Sequence, residues 1–196
     1  MTVFIYYEHL TREWTAVQRL KKKLENRGCT VYLFSIIFQV SKAIYVSKKH
    51  CPDFILMPWF VDGLHERIIE PIVRRNPNVK IANLHHEEIS SPAFESQLYP
   101  KTEFTKNGSY HFVWGNYFKE RLIEHGVHEE YICVLGNIRN DESFGTSTDK
   151  KSLSENYGLN PHKKWILFAE NRGWLLQRDS KGTLDELTGR GMEYKD

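Results

Sequence analysis

The stretch Asn83-Leu84-His85-His86-Glu87-Glu88-Ile89-Ser90-Ser91 sets two imidazoles and two carboxylates side by side where an apolar run ends. A group that takes a proton from a sugar hydroxyl needs a fixed position and an adjustable pKa, and the mouth of a cleft provides both. The same residues have an ordinary structural use, with histidines capping a strand and glutamates opening a solvated helix. Adjacent histidines point apart in extended chain and the spacing is not His-Glu-x-x-His, so no metal site is expected. Met57-Pro58-Trp59-Phe60-Val61-Asp62 brings two aromatics and an acid to a second run end. Indole faces stack on the C–H faces of sugars, and they serve equally well as packing beneath a loop. Gly136-Asn137-Ile138-Arg139-Asn140-Asp141 combines a glycine, an amide, a guanidinium and an acid. Arg139 is able to fork onto phosphate or carboxylate, or these polar groups satisfy the backbone of a hinge. Tyr99, Lys101 and Lys106 lie in a long connection from which an anionic acceptor could be approached.

Such residues gain meaning from the elements that hold them. Thr2–Tyr7 reads as a strand covered on both faces, and Leu10–Arg27 as an amphipathic helix with Leu10, Trp14, Val17, Leu20 and Leu24 on its apolar side. Gly28 stops that helix. Strands are expected at Thr30–Phe34, Asp53–Pro58, Val79–Leu84, Tyr110–Trp114 and Tyr131–Leu135. Helices are expected at Val40–Lys49, Gly63–Arg75 (with Pro71 in an early turn or at a kink) and Asn116–His125. His85 to Gly108 shows no strong periodicity. Alternation of this kind predicts an α/β fold, a Rossmann-like parallel sheet of about six strands with helices on both faces. Residues 1–140 form that domain and 141–163 a polar linker with a short helix near Leu153–Tyr157. Residues 164–196 open a second, incomplete α/β domain with a strand at Lys164–Glu170 and a helix start near Thr183 and Glu186. Ligands in such folds sit at the carboxyl ends of the strands. That adds Glu8 to the candidates, and Glu170 and Asn171 on the facing side of the cleft.

The first strand end is informative for what it omits. Tyr7-Glu8-His9-Leu10-Thr11-Arg12 has no glycine where a dinucleotide-binding turn would carry Gly-x-Gly-x-x-Gly, and no Walker-type motif occurs anywhere. The net charge of +2, with no basic stripe among aromatics, argues against nucleic acid. Cys29, Cys51 and Cys133 lack zinc or redox spacing and read as reduced core thiols of a cytoplasmic protein. Neither a signal peptide nor a membrane-spanning run is seen, which leaves peripheral association with a membrane open.

Read together, ILMPWFVD (Ile55–Asp62), NLHHEEISS (Asn83–Ser91), QLYPKTEFTKNG (Gln97–Gly108), VWGNYFKERLIEHGV (Val113–Val127), GNIRNDE (Gly136–Glu142) and ILFAENRGW (Ile166–Trp174) give a pattern over residues 2–176. That pattern resembles the N-terminal half of a two-domain GT-B glycosyltransferase. More narrowly, it resembles the proteins of bacterial surface-carbohydrate and capsular polysaccharide biosynthesis, related to CDP-glycerol glycerophosphotransferases. The resemblance implies an N-terminal domain that binds a carbohydrate or lipid-linked glycan acceptor. It implies a C-terminal domain that binds a nucleotide-activated sugar as co-substrate, with no tightly bound cofactor and no obligatory metal. By position, Glu87 or His86 is the base and Glu8 the second choice, while His85, Asp62 and Asn137 orient the acceptor. Trp59, Arg139, Glu170 and Asn171 complete the substrate-binding set. Most of the donor domain is missing from the chain, so this half is expected to be inactive alone. Its unpaired strand near Trp165 is expected to be open to association. Two further readings remain: the matching half of a nucleotide-sugar 2-epimerase or glycerophosphotransferase, and a non-catalytic Rossmann-like module that binds a glycan or a protein.

Overall fold

Short runs rich in β-branched, aromatic and aliphatic residues form the strands of one parallel sheet in the computed structural model, which describes residues 1–89, 94–140 and 149–166. In chain order the elements are β1 (Thr2–Tyr7), α1 (Leu10–Glu25), β2 (Thr30–Ser35), α2 (Val40–Ser47), β3 (Phe54–Met57), α3 (Gly63–Val73) and β4 (Lys80–Asn83). They continue with α4 (Glu103–Asn107), β5 (Tyr110–Val113), α5 (Asn116–Glu124), β6 (Ile132–Val134) and α6 (Lys150–Tyr157). The sheet order is β2-β1-β3-β4-β5-β6 and every pairing is parallel. The fold is therefore α/β and Rossmann-like.

Successive residues of a strand face opposite sides of the sheet, and β1 feeds two cores. Phe4 and Tyr6 pack with Phe34, Ile55, Met57 and Ile81 under Ala43 of α2 and Ile69 and Ile72 of α3. Val3, Ile5 and Tyr7 pack with Val31, Leu56 and Ala82 against Val17 of α1. A third cluster places Phe118 and Leu122 of α5 over Val113 and Ile132.

Several boundaries differ from expectation for local reasons. Leu10 and Trp14 are exposed although they open the apolar stripe of α1; the inward side of its first turn carries Glu13 instead, which is 1% exposed. Pro71 sits in the last turn of α3, not an early one, so the helix loses a single backbone bond before it ends. The connection from His85 to Gly108 contains a 3₁₀ turn at Glu95–Gln97 and the five-residue α4. Thr102 and Thr105 cap α4 reciprocally, each hydroxyl accepting the other's backbone N–H. Cys51 and Cys133 are exposed and Cys29 half-buried, which corrects their reading as core thiols. Cys51 follows α2 in a turn, and of the three residues of edge strand β6 only Ile132 is buried.

The chain divides into two compact units, the first ending at Arg139 and the second containing residues from Asn140 onward. In the second, Asp149 caps α6 by accepting from Ser152 N–H, and Gly158 ends it in the left-handed conformation at φ 63°. Trp165 Nε1 donates to the Asn160 carbonyl, and the Lys150 ammonium lies 5.1 Å from the Trp165 ring centre. The strand expected at Lys164–Glu170 falls mostly outside the described residues, as does the helix expected near Thr183. No described helix is long and apolar enough to cross a membrane.

Ile69 joins α3 to the core without solvent contact. Ile69→Ala is expected to cost about 2–5 kcal/mol of unfolding free energy. Denaturant titration at constant slope measures this, and a cost below about 1 kcal/mol would show that α3 does not hold this face.

Candidate functional site

The sheet order reverses between β1 and β3, and open α/β sheets bind ligands in the crevice beyond such a reversal. Glu8 leaves β1 there and Trp59 follows β3. The two are joined, with Trp59 Nε1–H donating to Glu8 Oε2 at 3.0 Å. Arg12, in the first turn of α1, donates from Nη1 to Glu87 Oε1 at 2.7 Å, and its Nη2 lies 3.7 Å from Glu8 Oε2. His9 Nε2 lies 3.5 Å from Glu8 Oε1. Glu8 and Glu87, from two separate strand ends, thus meet at one guanidinium, and Trp59 from a third is bonded to Glu8.

Behind them lies Glu13. Its Oε2 accepts the Glu8 backbone N–H at 2.8 Å and stands 3.3 Å from His86 Nδ1. Burial pushes this carboxyl up, but the adjacent His86 ring, the Glu8 N–H and the Arg12 charge together bring it below the ordinary carboxylate range. The His86 imidazole is buried, and neither ring nitrogen has an aligned hydrogen-bond partner. Its backbone is held at both ends: the N–H donates to the Pro58 carbonyl at 3.0 Å, and the carbonyl accepts from Arg139 Nη2 at 2.5 Å.

His85 turns the other way. Its φ of 44° lies in the left-handed region that a non-glycine residue seldom adopts, and Asn83 Oδ1 accepts its backbone N–H at 3.1 Å. The turn aims the imidazole at β5, where Nε2 is 2.9 Å from His111 Nδ1, and His111 Nε2 is 2.8 Å from the Lys106 carbonyl. A cavity of about 180 Å³ opens against Trp59, His65, His85, His86, Glu87 and Gln97, room for about six waters or one sugar ring. Asp62 has another duty. Its carboxylate caps α3 by accepting from Leu64 N–H at 3.0 Å and His65 N–H at 3.3 Å, while His65 Nδ1 accepts from Val61 N–H at 3.0 Å and Asp62 N–H at 3.3 Å.

On the β5–β6 side, Glu88 Oε1 accepts the Trp114 backbone N–H at 2.7 Å. Burial raises its pKa to about 7 against the opposing effect of that bond. The Arg139 guanidinium lies 5.5 Å from the Trp114 ring centre, and Asn137 Oδ1 accepts the Arg139 backbone N–H at 3.0 Å. Asn137 therefore positions Arg139, and Arg139 fastens the β6 exit to His86. Tyr99 is buried, its hydroxyl bonded to Glu95 and its ring stacked on His125, while Lys106 offers its carbonyl to the site. Glu170 and Asn171 lie outside the described residues. A larger concavity of about 620 Å³ runs along α3 beside Arg67, Arg74 and Phe104, away from the strand ends that carry these groups. Among the described residues no group of three or more His, Cys, Asp or Glu side chains is arranged to hold a metal ion.

Four groups enter the site that motif reading did not select. Glu13 carried a signal, since positions 13, 17, 20 and 24 form one helical stripe and a carboxylate in such a stripe is out of place. His111 shares the inward face of β5 with Val113, again a polar residue at a core position. Arg12 and His65 gave none, because their partners come from other segments.

No protein-family model matches this chain, and no curated protein sequence matches it either. Among solved structures, a LacI family transcriptional regulator from Silicibacter pomeroyi aligns with 83% of this chain at 15% identity and a TM-score of 0.34. The chain spans 56% of that structure's length. A likeness of that degree carries no functional argument.

Glu88 yields a pH-dependent prediction. A carboxyl whose folded pKa is raised from 4.5 to about 7 favours the folded state fully below the lower value, and that contribution is lost as pH rises through the upper one. Glu88→Gln, which keeps the acceptor for Trp114, is expected to stabilise the protein at pH 8 by on the order of 1 kcal/mol, discounted for partial exposure. The gain should fade at pH 5. Equal gains at both pH values, in paired thermal melts, would contradict a raised Glu88 pKa.

Proposed function

We propose that the sheet-bearing unit is the acceptor-binding half of a glycosyltransferase of the GT-B kind, acting in bacterial surface polysaccharide biosynthesis. The observation that carries this reading is the chemistry of the crevice beside β1. At the start of α1, where a dinucleotide fold receives a pyrophosphate on backbone amides, this chain places its own buried carboxylate, Glu13, on the Glu8 N–H. Glu8 and Glu87 add two further carboxylates around Arg12. A site furnished with three acids repels phosphate and welcomes hydroxyl groups. The ring-sized cavity, with an indole and a carboxylate on its wall, supports the same reading.

In such a transfer the acceptor oxygen bonds to the anomeric carbon of the donor while the bond from that carbon to the nucleotide phosphate breaks. The acceptor's proton passes to a base on this half. Glu87 is the carboxylate on the cavity wall, and Arg12 holds it in place. His86 and Glu8 form the polar surround, and Trp59 offers a ring face to the sugar. In this reading the nucleotide-activated sugar belongs to the other half.

Saturation-transfer NMR of this chain against neutral glycosides and short glycans, and separately against UDP, GDP and CDP, tests the division of labour. Transfer to glycans with silence from every nucleotide is the expected result. Clear transfer to a nucleotide would assign the crevice to the donor and overturn the proposal. Silence from both would favour a module that binds protein.

A further inference from the structure

We propose that the cavity at the end of β4 takes a neutral, hydroxyl-bearing ring and rejects anions, and that His111, buried behind it, is the positioning residue that sets this preference. The inference rests on the acceptor-side reading and adds the charge class of the group bound there.

The hydrogen-bond chain fixes the protons. Lys106 contributes a main-chain carbonyl from the last turn of α4, and a carbonyl only accepts. His111 Nε2, 2.8 Å away, therefore carries the proton. A neutral His111 then has a lone pair on Nδ1, which accepts from His85 Nε2–H at 2.9 Å. That leaves the His85 lone pair on Nδ1. Burial drives the His111 pKa down to about 4, against the bond to Lys106. Burial and then the fields of His111 and His86 hold His85 well below its ordinary range. Neither ring becomes a cation at neutral pH, so His85 meets a ligand as an acceptor alone.

His65 is fixed in a complementary way. Its Nδ1 accepts from the N–H groups of Val61 and Asp62, so its proton sits on Nε2. Burial lowers its pKa most, with the Lys101 field adding to that and the Asp62 charge opposing it. The wall thus holds one neutral imidazole acceptor, one neutral imidazole donor, the His86 ring already faced by the Glu13 carboxylate, the Gln97 amide and the Glu87 carboxylate. A hydroxyl both donates and accepts and is matched by this set. A phosphate or carboxylate meets the Glu87 charge and a lone pair. Arg12 is engaged by Glu87, and Lys101 is exposed and absent from the cavity wall.

The test uses the chain labelled with [15N]histidine. Long-range proton–nitrogen spectra read each ring's tautomer, and titrations follow methyl glycosides of gluco, galacto and manno configuration, glucuronate and inorganic phosphate. The expected result is an unprotonated His85 Nδ1 that shifts with at least one neutral glycoside and with neither anion. His111→Leu removes the acceptor for His85 Nε2–H and is expected to release the tautomer and weaken glycoside binding about tenfold. His111→Asn keeps an acceptor oxygen and is expected to stay within about threefold of the parent. A proton on His85 Nδ1 in the parent chain, a larger shift with glucuronate or phosphate, or no His85 shift with any glycoside overturns the inference. These parent-chain readings stand whether or not the leucine variant folds. Glycoside shifts confined to His9 at the outer rim would overturn it while leaving the acceptor-side reading intact, whereas nucleotide binding would overturn that reading itself.

Discussion

A carboxylate with almost no solvent contact has to be compensated by the groups around it, and Glu13 organises the crevice for that reason. It receives the Glu8 backbone N–H and faces the His86 imidazole. Those two contacts tie the exit of β1 to the exit of β4, across the intervening β3. Once Glu8 is pinned through its backbone, its side chain lies where Trp59 can donate to it. Once His86 is fixed, the residues on either side of it diverge, His85 toward β5 and Glu87 toward Arg12. The polar groups on this rim are consequently few in freedom. Glu13 itself is held by a main-chain partner, and main-chain partners do not rearrange when a side chain rotates.

The same carboxylate explains why the crevice differs in kind from a nucleotide-gripping one. The positive end of a helix attracts negative charge, and in α1 that attraction is answered from inside the chain. An incoming phosphate would have to displace a group that is covalently present and buried. In the neighbouring β4 cavity, burial holds the His65 and His85 imidazoles below the ordinary histidine range.

The sheet was legible because its strands are short apolar runs separated by helices whose stripes repeat every three to four residues. Thr2–Tyr7 already shows the two-faced burial seen in β1, and the strand ends already gather Glu8, Trp59, His85, His86 and Glu87 on one rim. Long-range pairing was less accessible. Arg12 meets Glu87 across 75 residues and His85 meets His111 across 26, separations that only the strand register brings together. Helix α4 was hidden because five residues are too few to show a period, although its reciprocal threonine cap is written in the sequence. Leu10 and Trp14 misled for a physical reason. The first turn of α1 lies at the crevice, so its inward face meets polar groups and its apolar residues turn outward.

Arg139 attaches the end of β6 to a carbonyl of the backbone, not to a side chain. The clasp is therefore blind to what residue 86 is. An exchange of that imidazole for another side chain would alter the chemistry of the crevice and leave the fastening in place. Arg139 has no such latitude, since a guanidinium must lie over Trp114 while one of its nitrogens reaches the carbonyl, and a lysine ammonium has neither the plane nor the fork. The reach is also mechanical. A pull on the chain at Arg139 would bear on the main chain of His86 through that bond.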